Sequence, residues 1–465
     1  MGDIGRADDT VVENQNNVLW GATVNAHAVE GADFNADWWR WEQRPAHIQG
    51  AATSEVAADH LSRYKTDLGL AQKIGLNTLQ YGISWARIEP EKGQFDEVAL
   101  LHYEGVFREM RERGINPICV FQEHSLPAWF SHQGAWAHPE APDLFLVFVT
   151  RVYEAFGIHC DYWLPHFEPL LWLGMAYGEK RWPSPSRRKR RSEALAGLAR
   201  AHQKAWAFLK TASEANRVGI SIYAPRIHPS DAYSPWDERV AEQMTCQLLR
   251  SYPDSVVAAC GTEKLPSLDG LEVGRTSNTC PNPPLTPPGR GIRPFCFIAL
   301  SCPGTLGVHG APLRPRNGFA QFERIPGKPS ALDETEPEAS SMTLYARQLS
   351  RWGVPLLITG IGVASEDDDA RCRHLLDHVD AFLRLRDEGL DMMGFCYRAL
   401  LDGFAWHHGY SQRFGLVHVD RKSLARTPNP SAFLYRDIIK AGAISPGVVS
   451  RFASGWKAPL QEMYR

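Results

Sequence analysis

Several absences narrow what this 465-residue chain can be. No apolar run approaches the roughly 18 residues that a membrane-spanning helix needs. Neither charge sign dominates. Lys plus Arg number 50 and Asp plus Glu 53, a formal net charge of −3, so nothing points to nucleic acid or to a charged membrane surface. No CxxC pair occurs; the nine cysteines are scattered and odd in number, which fits a reducing compartment better than a disulfide framework. Cys119, Cys296 and Cys396 lie in apolar, strand-like runs and read as core. The polar, acidic stretch Met1–Asn17 has no apolar centre of a secretory leader, so the expected location is cytoplasmic. No glycine-rich phosphate cradle follows a strand, so no nucleotide cofactor is expected. The run Glu366-Asp367-Asp368-Asp369 precedes a helical pattern. There the helix dipole and solvent account for it, and no metal is assigned.

What is present is ordinary globular material, 44% hydrophobic and 22% charged. Short apolar runs of buried-strand length alternate with amphipathic ones. The predicted strands are 18–24, 78–84, 116–121, 162–167, 218–223, 295–300, 355–359 and 394–399. Helical spacing is predicted over 54–74, 97–113, 142–156, 191–212, 237–249, 342–352, 369–387 and 432–439. Eight strand–helix units imply an α/β fold, a single closed (β/α)8 TIM barrel. Residues 1–16 read as a polar tail and 17–465 as the barrel. Three stretches read as loops. Residues 180–192 contain the basic run Arg187-Arg188-Lys189-Arg190-Arg191, taken as a solvated loop rather than a nuclear signal or anion site. Residues 277–293 and 301–341 are rich in Pro and Gly. Nothing in the pattern fixes an oligomeric state.

Ordered motifs then carry a resemblance. Leu19-Trp20-Gly21-Ala22-Thr23, Val29-Glu30-Gly31, Trp38 to Glu42, Gly82-Ile83-Ser84-Trp85-Ala86-Arg87-Ile88 and Gly134-Ala135-Trp136 come first. Trp163-Leu164-Pro165-His166-Phe167-Glu168-Pro169 and Leu357–Gly362 follow. Leu400-Leu401-Asp402-Gly403-Phe404-Ala405-Trp406 and the block Gly409–Asp420 close the series. Across nearly its whole length the chain resembles glycoside hydrolase family 1, the β-glucosidase type of barrel.

A retaining enzyme of that kind works with two carboxyls about 5–5.5 Å apart, one protonating the leaving oxygen and one attacking the sugar. The resemblance implies that Glu168 is the proton donor and that Gly360 stands where the nucleophile should be. The neighbouring asparagine is replaced by Phe167, the nucleophile's arginine by Gln80 and the first-strand glutamine by Ala28. A histidine is replaced by Glu123, with His124 and Ser125 next to it. No tyrosine matches near Leu300–Ser301. Arg398 replaces a tryptophan and Ala405 a glutamate, while Trp406 survives.

These changes make physical sense together. An arginine left buried without its carboxylate costs about 3–5 kcal/mol, and sugar-binding groups without a sugar would be unpaired. The implied pocket is less hydrophilic than a glucose site, lined by Phe167, Trp406, Phe121, Tyr397 and Trp20, with His27 beside Ala28 on the end of the first strand. Such a pocket suits a small, partly apolar molecule. Catalysis is expected from Glu168 with Glu123 or His124, with Phe167, Gln80, Arg398, Trp406, Tyr397, Phe121 and His27 in contact with substrate. The expected activity is acid–base cyclisation, dehydration, isomerisation or rearrangement, of the kind met in secondary metabolism. Two alternatives stand beside it: an inverting glycosidase using Glu168 and Glu123, and a binder that converts nothing.

Overall fold

The computed structural model describes residues 18–179, 182–183, 190–260, 293–302, 304–310, 320–323 and 338–459. Eight strands form its centre: β1 (Leu19–Asn25), β2 (Thr78–Gly82), β3 (Asn116–Glu123), β4 (Tyr162–Phe167), β5 (Arg217–Tyr223), β6 (Phe297–Ser301), β7 (Leu356–Ile361) and β8 (Met392–Tyr397). Each hydrogen-bonds its sequence neighbours in parallel, and β1 pairs with β8, so the sheet closes into a barrel. All eight correspond to apolar runs legible in the sequence. Helices α1 (His60–Ile74), α2 (Glu97–Glu112), α3 (Ala141–Phe156), α4 (Arg191–Ala212), α5 (Pro235–Ala259), α6 (Ala339–Leu349), α7 (Asp368–Asp387) and α8 (Pro430–Ala441) return the chain between strands and flank the last one.

The strands are apolar on both faces because each face has its own core. Leu19, Ile118, Val120, Leu164, Phe167, Phe297, Ala299, Leu357 and Cys396 fill the barrel interior. The alternate residues pack outward under the helices. One polar pair crosses the interior: Thr359 Oγ1 donates to Gln80 Oε1 at 2.7 Å.

The structure departs from the sequence expectation in three places. Residues 54–59 are not helical. Ser54 is tied to Glu42 by two hydrogen bonds of 2.7 and 2.9 Å, and Ala57 and Asp59 hold positive φ, so α1 starts only at His60. The segment 301–341 is not all loop. Thr305–Gly310 and Ala320–Glu323 form a three-stranded sheet with Arg226–Pro229, seating Ile227, Leu306 and Val308 on Val240 and Ala241 of α5. Helix α5 runs to Ala259 despite an internal Pro253. The polar tail 1–16, the basic run apart from Arg190 and Arg191, and the loop 277–293 apart from Arg293 lie outside the described residues. Among the described residues no helix is long and apolar enough to cross a membrane, and no group of three or more His, Cys, Asp or Glu is placed to hold a metal.

Candidate active site

A cavity of about 80 Å³ opens at the C-terminal ends of the barrel strands, the face on which barrels of this kind carry their sites. Thr23 comes from β1, Glu123 and His124 from the end of β3, and Phe167 and Glu168 from the end of β4. Tyr223 ends β5, Gly360 lies in β7, and Arg398, Trp406 and His407 follow β8. Leu171, Met175 and Trp182 come from the segment after β4.

The backbone here is unusual. His124, Glu168 and Trp406 hold φ of 62°, 46° and 51°, and Gly360 holds 64°. Left-handed backbone costs an ordinary residue about 1–2 kcal/mol, and such positions concentrate where function requires a particular orientation. In β7 the left-handed Gly360 sits in a bulge. Four residues, Ile358 to Ile361 by register, span what the three residues Phe395 to Tyr397 span in β8. Gly362 is required for a different reason. A Cβ there would lie 1.9 Å from the Arg398 carbonyl oxygen, so only glycine lets the turn after β8 come this close.

Glu168 is held on both oxygens. Ser301 Oγ donates to Oε1, and His124 Nε2 lies 3.3 Å from Oε2. Its backbone N–H donates to Ser221 Oγ at 3.1 Å. His124 Nδ1 has no partner among the described residues, so the ring has one nitrogen on Glu168 and one to exchange with a ligand. Glu123 leans over the end of β2, where a Cβ at Gly82 would lie 2.4 Å from its Oε2. Burial pushes the Glu123 carboxyl up to about 8, against the pull of the Asn25 side chain. The Glu168 charge pushes the same way as burial, and the Arg398 charge opposes it. Glu123 is therefore a protonated acid at neutral pH. The Arg398 guanidinium stacks 4.1 Å above the Phe414 ring.

Of the residues singled out from the sequence, Glu168, Glu123, His124, Phe167, Arg398, Trp406 and Gly360 meet around this cavity. Phe121, Tyr397 and Gln80 do not, and neither does Trp20. Strand alternation explains the first two and Trp20. Ile118, Val120, Cys396 and Leu19 face the barrel interior, so Phe121, Tyr397 and Trp20 face the helices. Phe121 stacks on Trp163 at 5.2 Å, and Trp20 meets Phe382 at 5.3 Å. Gln80 is outside the cavity lining, and its Oε1 accepts from Thr359.

His27 is also sealed off. Its ring lies flat behind Trp406, 5.7 Å away and 3° from parallel. Nδ1 is 3.2 Å from Asp33 and Nε2 is 3.6 Å from Glu42. Burial alone would lower its pKa, but the bonds and charges of Asp33 and Glu42 outweigh it and hold it at about 9. It is a buried cation that supports the Trp406 wall. Sequence reasoning missed Ser301 and Trp182. Ser301 is the last residue of β6, and strand-end position was the available signal. Trp182 belongs to a loop otherwise read as solvated.

The family profile described as "Glycosyl hydrolase family 1" matches residues 13–264 and 343–443. "Beta-glucosidase A" of Acetivibrio thermocellus is 26% identical over 452 residues, covering 91% of this chain and 97% of its own length. The "beta-glycosidase from Pyrococcus horikoshii" superposes with a TM-score of 0.80 at 24% identity, covering 94% of this chain and 96% of its own. The Thermotoga maritima β-glucosidase in complex with glucoimidazole gives 0.77 at 22% identity, covering 92% and 99%.

Proposed function

Because the chain belongs to glycosyl hydrolase family 1, we propose that its barrel has kept the family's proton-transfer side and given up its nucleophile. It then carries out general acid–base chemistry on a small, partly apolar molecule without a covalent sugar intermediate. One observation carries the reading. At Gly360, a Cβ would lie 2.3 Å from Ser301 Oγ, 3.0 Å from Ser301 Cβ and 3.3 Å from Glu168 Oε1. The space a nucleophilic side chain would need is occupied by the hydroxyl that holds Glu168.

The remaining groups suit proton transfer. Two carboxyls in unlike surroundings take unlike roles. Glu123, protonated up to about pH 8, donates a proton to the substrate. Glu168, braced by Ser301 and His124, accepts one. His124 passes protons between Glu168 and the cavity. A positioned acid or base contributes about 10²–10⁴-fold, enough for isomerisation, dehydration or cyclisation of an activated substrate. The setting we propose is the reducing cytoplasm; the eight described cysteines are all free thiols. The test is turnover of a substrate panel by wild type and by Glu168→Gln. A fall of about 10²–10⁴-fold is expected, and unchanged turnover removes Glu168 from the mechanism.

A second reading, inverting hydrolysis, is favoured by Glu123 alone, since it supplies a second carboxyl facing Glu168. It requires nitrophenol release from aryl glycosides. Failure to release it from any sugar of a broad panel rejects it.

A further inference from the structure

Trp182 stands at a junction that neither the family pattern nor the carboxyl pair explains. Its ring lies 4.7 Å from His124, 5.8 Å from Trp406 and 5.6 Å from Trp38. It is only 3% exposed. Trp38 in turn packs 4.7 Å from Trp406, so the indole rests on two aromatic rings that are themselves buried. It bridges the imidazole that touches Glu168 and the tryptophan that walls the far side. It is thereby part of the cavity wall.

The size of the cavity gives this placement its meaning. About 80 Å³ is roughly half the approximately 150 Å³ of an apolar core cavity that takes up benzene. By that comparison the space beside Glu168, with the indole in place, favours a group smaller than a six-membered ring. A group of about three or four heavy atoms is of that size. We propose that Trp182 is the specificity-determining residue of this site, and that the part of the ligand reaching Glu168 and Glu123 is a small open-chain polar group, such as a hydroxy-carbonyl or amide, rather than a sugar or aromatic ring. The inference rests on the acid–base reading only in taking this cavity as the working site. It excludes the ring-sized cargo that the apolar wall alone would invite.

The test is ligand-observed NMR on the full chain with two probe sets. Acetamide and hydroxyacetone are the small probes; glucose and phenol are the ring-sized ones. Wild type is expected to bind the small probes and neither ring. W182A is expected to gain a ring-sized probe by at least tenfold in affinity, with the small probes weakened. W182F, which keeps an aromatic on Trp38 and Trp406, is expected to fall between and carries the comparison if W182A does not fold. Wild type binding a ring as tightly as the variants, wild type binding neither small probe, or variants that gain no ring would each overturn the proposal. Size selection without turnover of any substrate upholds it while defeating the acid–base reading. Turnover lost in E168Q with no change of size limit in W182F does the reverse.

Discussion

Replacing Gly360 by alanine is the smallest perturbation that tests whether the nucleophile position is closed. Two penalties act on the added methyl. The backbone φ of 64° is one that an L-residue adopts at a cost of about 1–2 kcal/mol. The Cβ would also lie 2.3 Å from Ser301 Oγ, well inside contact distance. Relieving an overlap of that kind in a packed interior costs about 1–3 kcal/mol. Together the change should destabilise the chain by about 2–5 kcal/mol. The two penalties separate in a Ser301→Gly background. Ser301→Gly removes the overlap and leaves the backbone penalty, so Gly360→Ala should then cost only about 1–2 kcal/mol. The coupling of about 1–3 kcal/mol is read from denaturant midpoints of the four proteins at unchanged slope. Equal costs in both backgrounds would refute the argument that Ser301 fills the space. A wild-type background that accepts the methyl without loss would refute the backbone argument as well.

Glu123 should make stability fall with rising pH. A carboxyl whose pKa is higher in the folded chain keeps its full contribution below the unfolded value of 4.5 and loses it on the way up to about 8; Glu123→Gln should flatten that slope in denaturation midpoints from pH 4.5 to 8, and an unchanged slope contradicts the assignment. An activity that uses Glu123 as its acid should decline above about pH 8. His27→Gln should cost about 3–5 kcal/mol, because Asp33 and Glu42 lose their buried cation. The His27 contribution is fully present below 6.5 and lost as pH rises through about 9, so the gap between variant and wild type should narrow over that interval in thermal melts. Phe121→Ala should cost about 3–5 kcal/mol through its packing on Trp163, yet leave probe binding unchanged; a loss of binding at retained stability would place it back in the pocket.

The barrel was legible because strands covered on both faces leave continuous apolar runs, and each such run sits where a strand is found. The candidate site's lining was legible where a motif marks it, as at Glu168, and where the marked stretch continues, as at His124. The faces of the strands were harder. Tyr397 and Arg398 are adjacent, and only the alternation set by Cys396 in the interior tells that the tyrosine belongs to the helix side. That alternation breaks at His124 and Glu168, where ordinary residues take left-handed backbone without a glycine to announce it. His27 looked like a substrate contact on the first strand end because its partners, Asp33 and Glu42, are joined to it only by the folded chain. The strand pair Thr305–Gly310 and Ala320–Glu323 was hidden among prolines and glycines that read as irregular backbone.

The central claim of the proposal is that, among the described residues, no group opposite Glu168 captures a sugar covalently. Its most direct test is the intact mass of the protein after prolonged incubation with an activated 2-deoxy-2-fluoro-β-glucoside, a reagent that stalls a retaining enzyme on its nucleophile. An unchanged mass is predicted. A mass gained by one fluoroglucosyl unit, traced to an acidic side chain lining the cavity, would contradict it.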